Sequence, residues 1–141
     1  MSLKSIKNRK SRTSKVDSLV GKKARVLGEI RFSEGLHIDG LIKGNVVSDE
    51  DKPATLSVSN SGTIEGHVKV PNVIISGVVK GDVYSSDYVE LGSTARIEGD
   101  VYYGLIEMAM GAEVNGKLVR IIDSDNKVET TLKEREKAKY K

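Results

Sequence analysis

The 141-residue chain has no cysteine, no tryptophan, one phenylalanine (Phe32) and two prolines. Without cysteine there is no disulfide framework, no thiolate zinc site and no thiol nucleophile. The scarcity of large rings excludes a wide globular interior and predicts a thin, valine-like core. No apolar run approaches the roughly 20 residues of a membrane-spanning helix, and the first twenty residues lack an apolar signal segment, so a cytoplasmic site is expected. The length excludes a multidomain enzyme and suits one modest domain with tails.

Charge is uneven. Residues 1–25 hold nine Lys/Arg against one Asp, residues 26–122 hold eight against fourteen acidic residues, and residues 123–141 hold six against five. The small net charge of +3 thus conceals a basic arm on an acidic body. Residues 1–19 have too little apolar surface to offset ordering entropy and are expected to be a disordered arm; 123–141 read as a charged tail.

What the chain does have is glycine, 14 of them, in a repeat. The word aliphatic-x-Gly-x-aliphatic recurs with its glycine at Gly28, Gly44, Gly66, Gly81, Gly99 and Gly116, at intervals of 16, 22, 15, 18 and 17 residues. Two residues before it stand Val26, Ile42, Ile64, Val79, Ile97 and Val114; two after it, Ile30, Val46, Val68, Val83, Val101 and Leu118. Eight before it stand Val20, Leu36, Val58, Val73, Leu91 and Met108, and four before it Ala24, Gly40, Gly62, Gly77, Ala95 and Ala112. All offsets are even, the period with which side chains alternate across a strand, so these residues point inward. A unit this short excludes helical hairpins and leucine-rich repeats, and fits one turn of a solenoid with three short sides. Residues 20–122 are therefore expected to form an all-β, single-domain parallel β-helix of about six triangular turns, stacked about 4.8 Å apart. The longest interval carries Ser48-Asp49-Glu50-Asp51-Lys52-Pro53, which reads as a surface loop. Immediately before the key glycines, Lys43, Glu65, Lys80 and Glu98 are expected to alternate in charge up one edge.

A solenoid leaves unpaired backbone groups and an open apolar section at each end, and no convincing cap is legible in either flank. Val20 at one end, and Leu118, Val119, Ile121 and Ile122 at the other, are the expected contacts for end-to-end association with further copies. A rod with two adhesive ends makes a filament.

Chemical sites mostly dissolve under the same pattern. Gly111-Ala-Glu-Val-Asn-Gly116-Lys117-Leu118 is one residue short of a phosphate-binding loop, but its glycines belong to the repeat and no helix is expected after it. His37 and His67 fall at odd, outward offsets and read as surface histidines. Candidate Ser, His and Asp residues are scattered, so no nucleophilic set, metal site or cofactor is expected. An acyltransferase built on hexapeptide repeats is disfavoured because the series Leu91, Ile97, Tyr103 and Ile64, Val70, Ser76, Asp82 lose the aliphatic hexad. In the arm, Leu3 and Ile6 beside Lys4, Lys7, Arg9 and Lys10 suit an anionic lipid surface. Without aromatic residues there, sequence-specific nucleic-acid binding is not expected. A monomeric solenoid adaptor that binds a protein on one flat face is the alternative to a filament.

The segments Ile38-Asp-Gly-Leu-Ile-Lys-Gly44-Asn-Val46, Ile75-Ser-Gly-Val-Val-Lys-Gly81-Asp-Val83, Ala95-Arg-Ile-Glu-Gly99-Asp-Val101 and Ala112-Glu-Val-Asn-Gly116-Lys-Leu118 resemble the bactofilins, bacterial polymer-forming cytoskeletal proteins. The resemblance implies a right-handed β-helix that polymerises without nucleotide into nonpolar filaments through head-to-head and tail-to-tail contacts. It also implies a scaffold on the inner face of the cytoplasmic membrane that positions cell-wall or shape-determining proteins. Members often place a bulky apolar residue, frequently Phe, in the last turn; here the sole Phe is Phe32, in the first.

Overall fold

The structure is a computed structural model that describes residues 18–49 and 53–122. The arm residues Leu3, Lys4, Ile6, Lys7, Arg9 and Lys10, and the tail 123–141, lie outside the described residues.

Among the described residues sixteen parallel strands wind into six rungs with three faces. The first face stacks β1 (Ser18–Val20), β4 (Gly35–Ile38), β7 (Thr55–Val58), β10 (Asn72–Ile75) and the second halves of β12 (Val83–Leu91) and β14 (Val101–Met108). The second stacks β2 (Arg25–Leu27), β5 (Leu41–Lys43), β8 (Thr63–Glu65), β11 (Val78–Lys80), β13 (Arg96–Ile97) and β15 (Glu113–Val114). The third stacks β3 (Ile30–Phe32), β6 (Val46–Ser48), β9 (Val68–Lys69), the first halves of β12 and β14, and β16 (Leu118–Arg120). In β12 the chain rounds a corner without leaving the sheet, at a bulge between Ser85 and Tyr88. Ser85, fully buried there, shares its hydroxyl proton between the Pro71 carbonyl at 2.6 Å and the Tyr88 carbonyl at 3.0 Å, so the corner leaves no orphaned hydroxyl.

The inward columns form a dry aliphatic core, with Ile42, Ile64, Val79 and Ile97 of the second face at 0% exposure. β-Branched side chains dominate because three pleated walls converge on a narrow section. The repeat glycines occupy the corner between the second and third faces. A Cβ on Gly44, Gly66, Gly81, Gly99 or Gly116 would collide with the carbonyl oxygen of the glycine one rung earlier. The column is therefore a steric requirement of stacking at that corner. Gly28, in the first rung, has nothing beneath it and is glycine for a different reason, its φ of 123°.

One expected column is misaligned. Leu36 and Val73 do not stack with Val20, Val58, Leu91 and Met108; Ile38 and Ile75 do, while Leu36 and Val73 stack with Leu56, Val89 and Ile106. The cause is the corner between the first and second faces. Rungs one, three, five and six turn there through four residues closed by a hydrogen bond, as in Gly62 N–H to Ser59 O at 2.9 Å and Ala95 N–H to Gly92 O at 3.0 Å. Rungs two and four turn at Asp39-Gly40 and Ser76-Gly77, two residues shorter, which shifts the whole first-face strand by one inward position.

Candidate assembly ends and side faces

Among the described residues both end rungs pair along one edge only: β1, β2 and β3 with the second rung, and β15, β16 and the second half of β14 with the fifth. Of the seven large apolar side chains that are exposed among the described residues, six lie in these rungs: Leu19 and Leu27 in the first, Leu105, Met108, Met110 and Leu118 in the last. Tyr84 is the seventh.

The expected end residues do not all meet. Val20 points inward in the first rung and is buried; Leu118 points inward in the last and is 45% exposed. Val119 stacks on Tyr102 on the outer side of the third face, outside the inward layer. Ile121 and Ile122 are half-buried after β16, and the Ile121 N–H donates to the Tyr103 carbonyl at 2.6 Å, so the chain follows the rung below for one residue more. The inward layer of the last rung is completed by Ile106, Met108 and Val114, and that of the first by Val26 and Ile30. All but Ile106 were legible as the final and initial members of the aligned columns. Phe32 is buried at the corner of the first rung, in a column that runs through Ser48 and Ser85 to Tyr103 and ends at Arg120.

The position after the repeat glycine carries a hydrogen-bond ladder that polarity alone did not announce. Asn45 Oδ1 accepts from the His67 N–H at 2.9 Å, His67 Nδ1 from the Asp82 N–H at 3.0 Å, Asp82 Oδ1 from the Asp100 N–H at 2.9 Å, and Asp100 Oδ1 from the Lys117 N–H at 2.9 Å. Asn, His and Asp differ in charge, yet each presents an acceptor at the same reach. The bond fixes the His67 tautomer, with its proton on Nε2. The column ends at Lys117, which has no acceptor to offer a seventh rung. The expected charge edge takes its register, with Lys43, Glu65 and Lys80 opposite one another, but no ion pair within 4 Å joins them; Arg96 and Glu113 pair instead, at 3.2 Å.

The scattered Ser, His and Asp residues do come together at one point, contrary to expectation. On the first face His37 Nδ1 lies 3.2 Å from Ser57 Oγ and His37 Nε2 lies 3.1 Å from Asp39 Oδ1. The stacking of β4 on β7 supplies this contact across 20 residues of sequence. The set lies on a flat sheet face, and Ser57 sits mid-strand between β4 and β10, where backbone amides serve the ladder and none is left to form an oxyanion hole. A hydrogen bond from Ser59, reinforced by His37 and Lys22, holds the Asp39 carboxyl below its ordinary range. Further along the same face the Tyr88 hydroxyl donates to Glu107 at 2.7 Å and lies 3.2 Å from Glu90, and these bonds push the phenol well up. The near phosphate-loop segment spans two corners and β15, among strands throughout. Among the described residues no helix is long and apolar enough to cross a membrane.

Three faces of stacked strands, with end rungs that pair on one edge among the described residues, make a parallel β-solenoid. The family profile described as "Bactofilin: Polymer-forming cytoskeletal" matches residues 18–119. The chain is 34% identical over 106 residues to bactofilin BacO of Myxococcus xanthus, covering 75% of this chain and 81% of that one. It is 31% identical over 109 residues to bactofilin BacP of the same organism, covering 77% of this chain and 44% of that one. A crystal structure of a Thermus thermophilus bactofilin carrying a phenylalanine-to-arginine substitution superposes with a TM-score of 0.59 at 31% identity, over 65% of this chain and 98% of that one. The chain belongs to the bactofilins, a family of polymer-forming cytoskeletal proteins.

Proposed function

We propose that this bactofilin is a non-enzymatic scaffold that joins end to end, without nucleotide, into nonpolar filaments. The observation that carries the reading is the open apolar layer of the last rung, where Met108 and Leu118 point inward and are 40% and 45% exposed, while Leu91 and Val101 beneath them are at 1% and 0%. Each junction adds strand hydrogen bonds worth about 1 kcal/mol net apiece and buries a terminal layer at roughly 25 cal/mol per Å². At one end the layer is Ile106, Met108, Val114 and Leu118; at the other it is Val20, Val26 and Ile30. Like ends meeting give two-fold junctions of both kinds, and alternating them produces a filament without polarity. Lys117 favours this over head-to-tail stacking, because it offers no acceptor to the Glu29 N–H of a following first rung.

The arm, with Lys4, Lys7, Arg9 and Lys10 beside Leu3 and Ile6, is read as an attachment to the anionic inner surface of the cytoplasmic membrane. Each cation near such a surface contributes on the order of 1 kcal/mol, and a filament multiplies weak arms into firm attachment. Cell-wall or shape-determining proteins are the clients this reading assigns to the scaffold.

The test is a charge in the end layer. Met108→Arg and Leu118→Arg, each compared with the unaltered protein by sedimentation and electron microscopy, are expected to leave short soluble species with unchanged circular dichroism. Filaments of normal length from both variants would overturn the end-to-end reading. For the arm, deletion of residues 1–17, which leaves β1 intact, is expected to abolish co-sedimentation with phosphatidylserine vesicles; unchanged recovery would refute the membrane role.

A further inference from the structure

Tyr84, the exposed apolar side chain that lies away from the ends, marks a different surface. On the outer side of the third face the rungs present in order Arg31, Val47, Lys69, Tyr84, Tyr102 and Val119. No carboxylate occupies these six positions, although residues 26–122 carry fourteen. The Lys69 ammonium sits 5.8 Å from the centre of the Tyr84 ring, and the Tyr84 and Tyr102 rings lie 5.9 Å apart. Beside them a half-open groove of about 370 Å³ runs along the rod, lined by Arg31, Val47, Lys69, Val70, Pro71 and Tyr84. Arg31 has a 3.8 Å contact with Glu29, with side chains 64% and 50% exposed, a pairing too weak to hold it from a better partner.

We propose that this groove binds a segment of a partner protein in the polyproline-II conformation, with two carboxylates three residues apart. Arg31 and Lys69 are two rungs apart, about 10 Å at the spacing of stacked strands. A polyproline-II helix rises about 3.1 Å per residue with three residues per turn, so side chains at i and i+3 leave the same edge about 9.3 Å apart. Each carboxylate of such a segment meets one cation. The prolines between them lie against Val47, and a proline after the second carboxylate lies against Pro71 and Tyr84, as such segments do in aromatic-lined grooves. A membrane or a nucleic acid is a poorer fit, since either extends its negative charge over the acidic remainder of the rod and within its Debye length. The groove is lateral, so it stays open when ends are joined. The inference rests on the scaffold reading only for its consequence, that a filament repeats the groove along its length and displays clients in a row.

Fluorescence anisotropy of the full-length chain with a labelled Pro-Glu-Pro-Pro-Glu-Pro peptide tests the proposal. Lys69→Glu and Tyr84→Ala are each expected to weaken binding tenfold or more. Moving the two glutamates next to each other in the peptide is expected to weaken it at least fivefold, and Lys69→Glu is expected to prefer a peptide with one Glu replaced by Lys. Equal affinity in all variants, as capture by the basic arm alone would give, overturns it. So does loss in these variants of binding to phosphatidylserine vesicles or oligo-dT while peptide binding persists. Electron microscopy of the same samples separates the two readings: peptide binding by a protein that forms no filaments supports the groove and counts against assembly.

Discussion

Leu118 stacks directly over Val101 in one inward column; the valine is fully buried and the leucine is 45% exposed. The same holds for Met108 at 40% above Leu91 at 1%. Middle and end rungs use the same residue types at the same positions, so burial here is supplied by the next rung rather than by the side chain's own strand. In that arrangement the last rung of a solenoid is an incomplete piece of core, which in the proposed filament a second copy completes. The two ends differ in degree. Val20 and Phe32 in the first rung are each 8% exposed, whereas the last rung leaves Met108 and Leu118 open, which makes the C-terminal end the stronger hydrophobic contact.

The contrast between middle and ends can be broken at several points. The largest effect is expected from Ile97→Ala, which leaves a cavity at a 0% exposed site and should lower unfolding free energy by about 2–5 kcal/mol in urea titration. Leu118→Ala, in the open layer, should cost about 1 kcal/mol in the same titration while shortening filaments. Equal losses at the two sites would show that the ends are as closed as the middle. Next comes Gly66→Ala, whose Cβ meets the Gly44 carbonyl and should destabilise by about 1–3 kcal/mol, against Gly21→Ala in the first rung, which meets nothing within 4 Å and should be nearly silent. His67→Ala removes the acceptor for the Asp82 N–H and should cost at most about 1 kcal/mol, whereas His67→Asn restores an acceptor of the kind Asn45 supplies and should approach the parent.

The smallest effect is in acid. Because the Asp39 carboxyl is held below its ordinary pKa in the fold, the unfolded chain takes up its proton first as pH falls. The contribution is present above the ordinary carboxylate pKa of about 4 and is lost as pH drops through the lowered folded value. Asp39→Asn should therefore flatten that part of the stability–pH curve; an unchanged slope would mean that Ser59 and His37 do not hold the carboxylate in solution.

The solenoid was legible because stacking repeats its constraints: the corner glycines and their aliphatic neighbours two residues away recur in every rung. The first-face column was misread at Leu36 and Val73, since corners of two lengths occur and an alignment on glycine cannot see a two-residue slip at the opposite corner. The Asn45–His67–Asp82–Asp100 ladder was hidden because geometry there selects an acceptor, and three chemically unlike side chains satisfy it. His37, Asp39 and Ser57 were counted as scattered because only the stacking of β4 on β7 brings them together. At the C-terminal end Leu118 was found from its column, but Met108 and Val114, the last members of theirs, carry the same meaning, and Val119 falls on the outer side. The charge edge was read in register and overvalued as contact, since long exposed side chains gain little by meeting.

Negative-stain electron microscopy of the purified, nucleotide-free protein over a rising concentration series tests the central claim most directly. The account predicts rods of constant width whose length grows with concentration. Particles of one size at every concentration would contradict it.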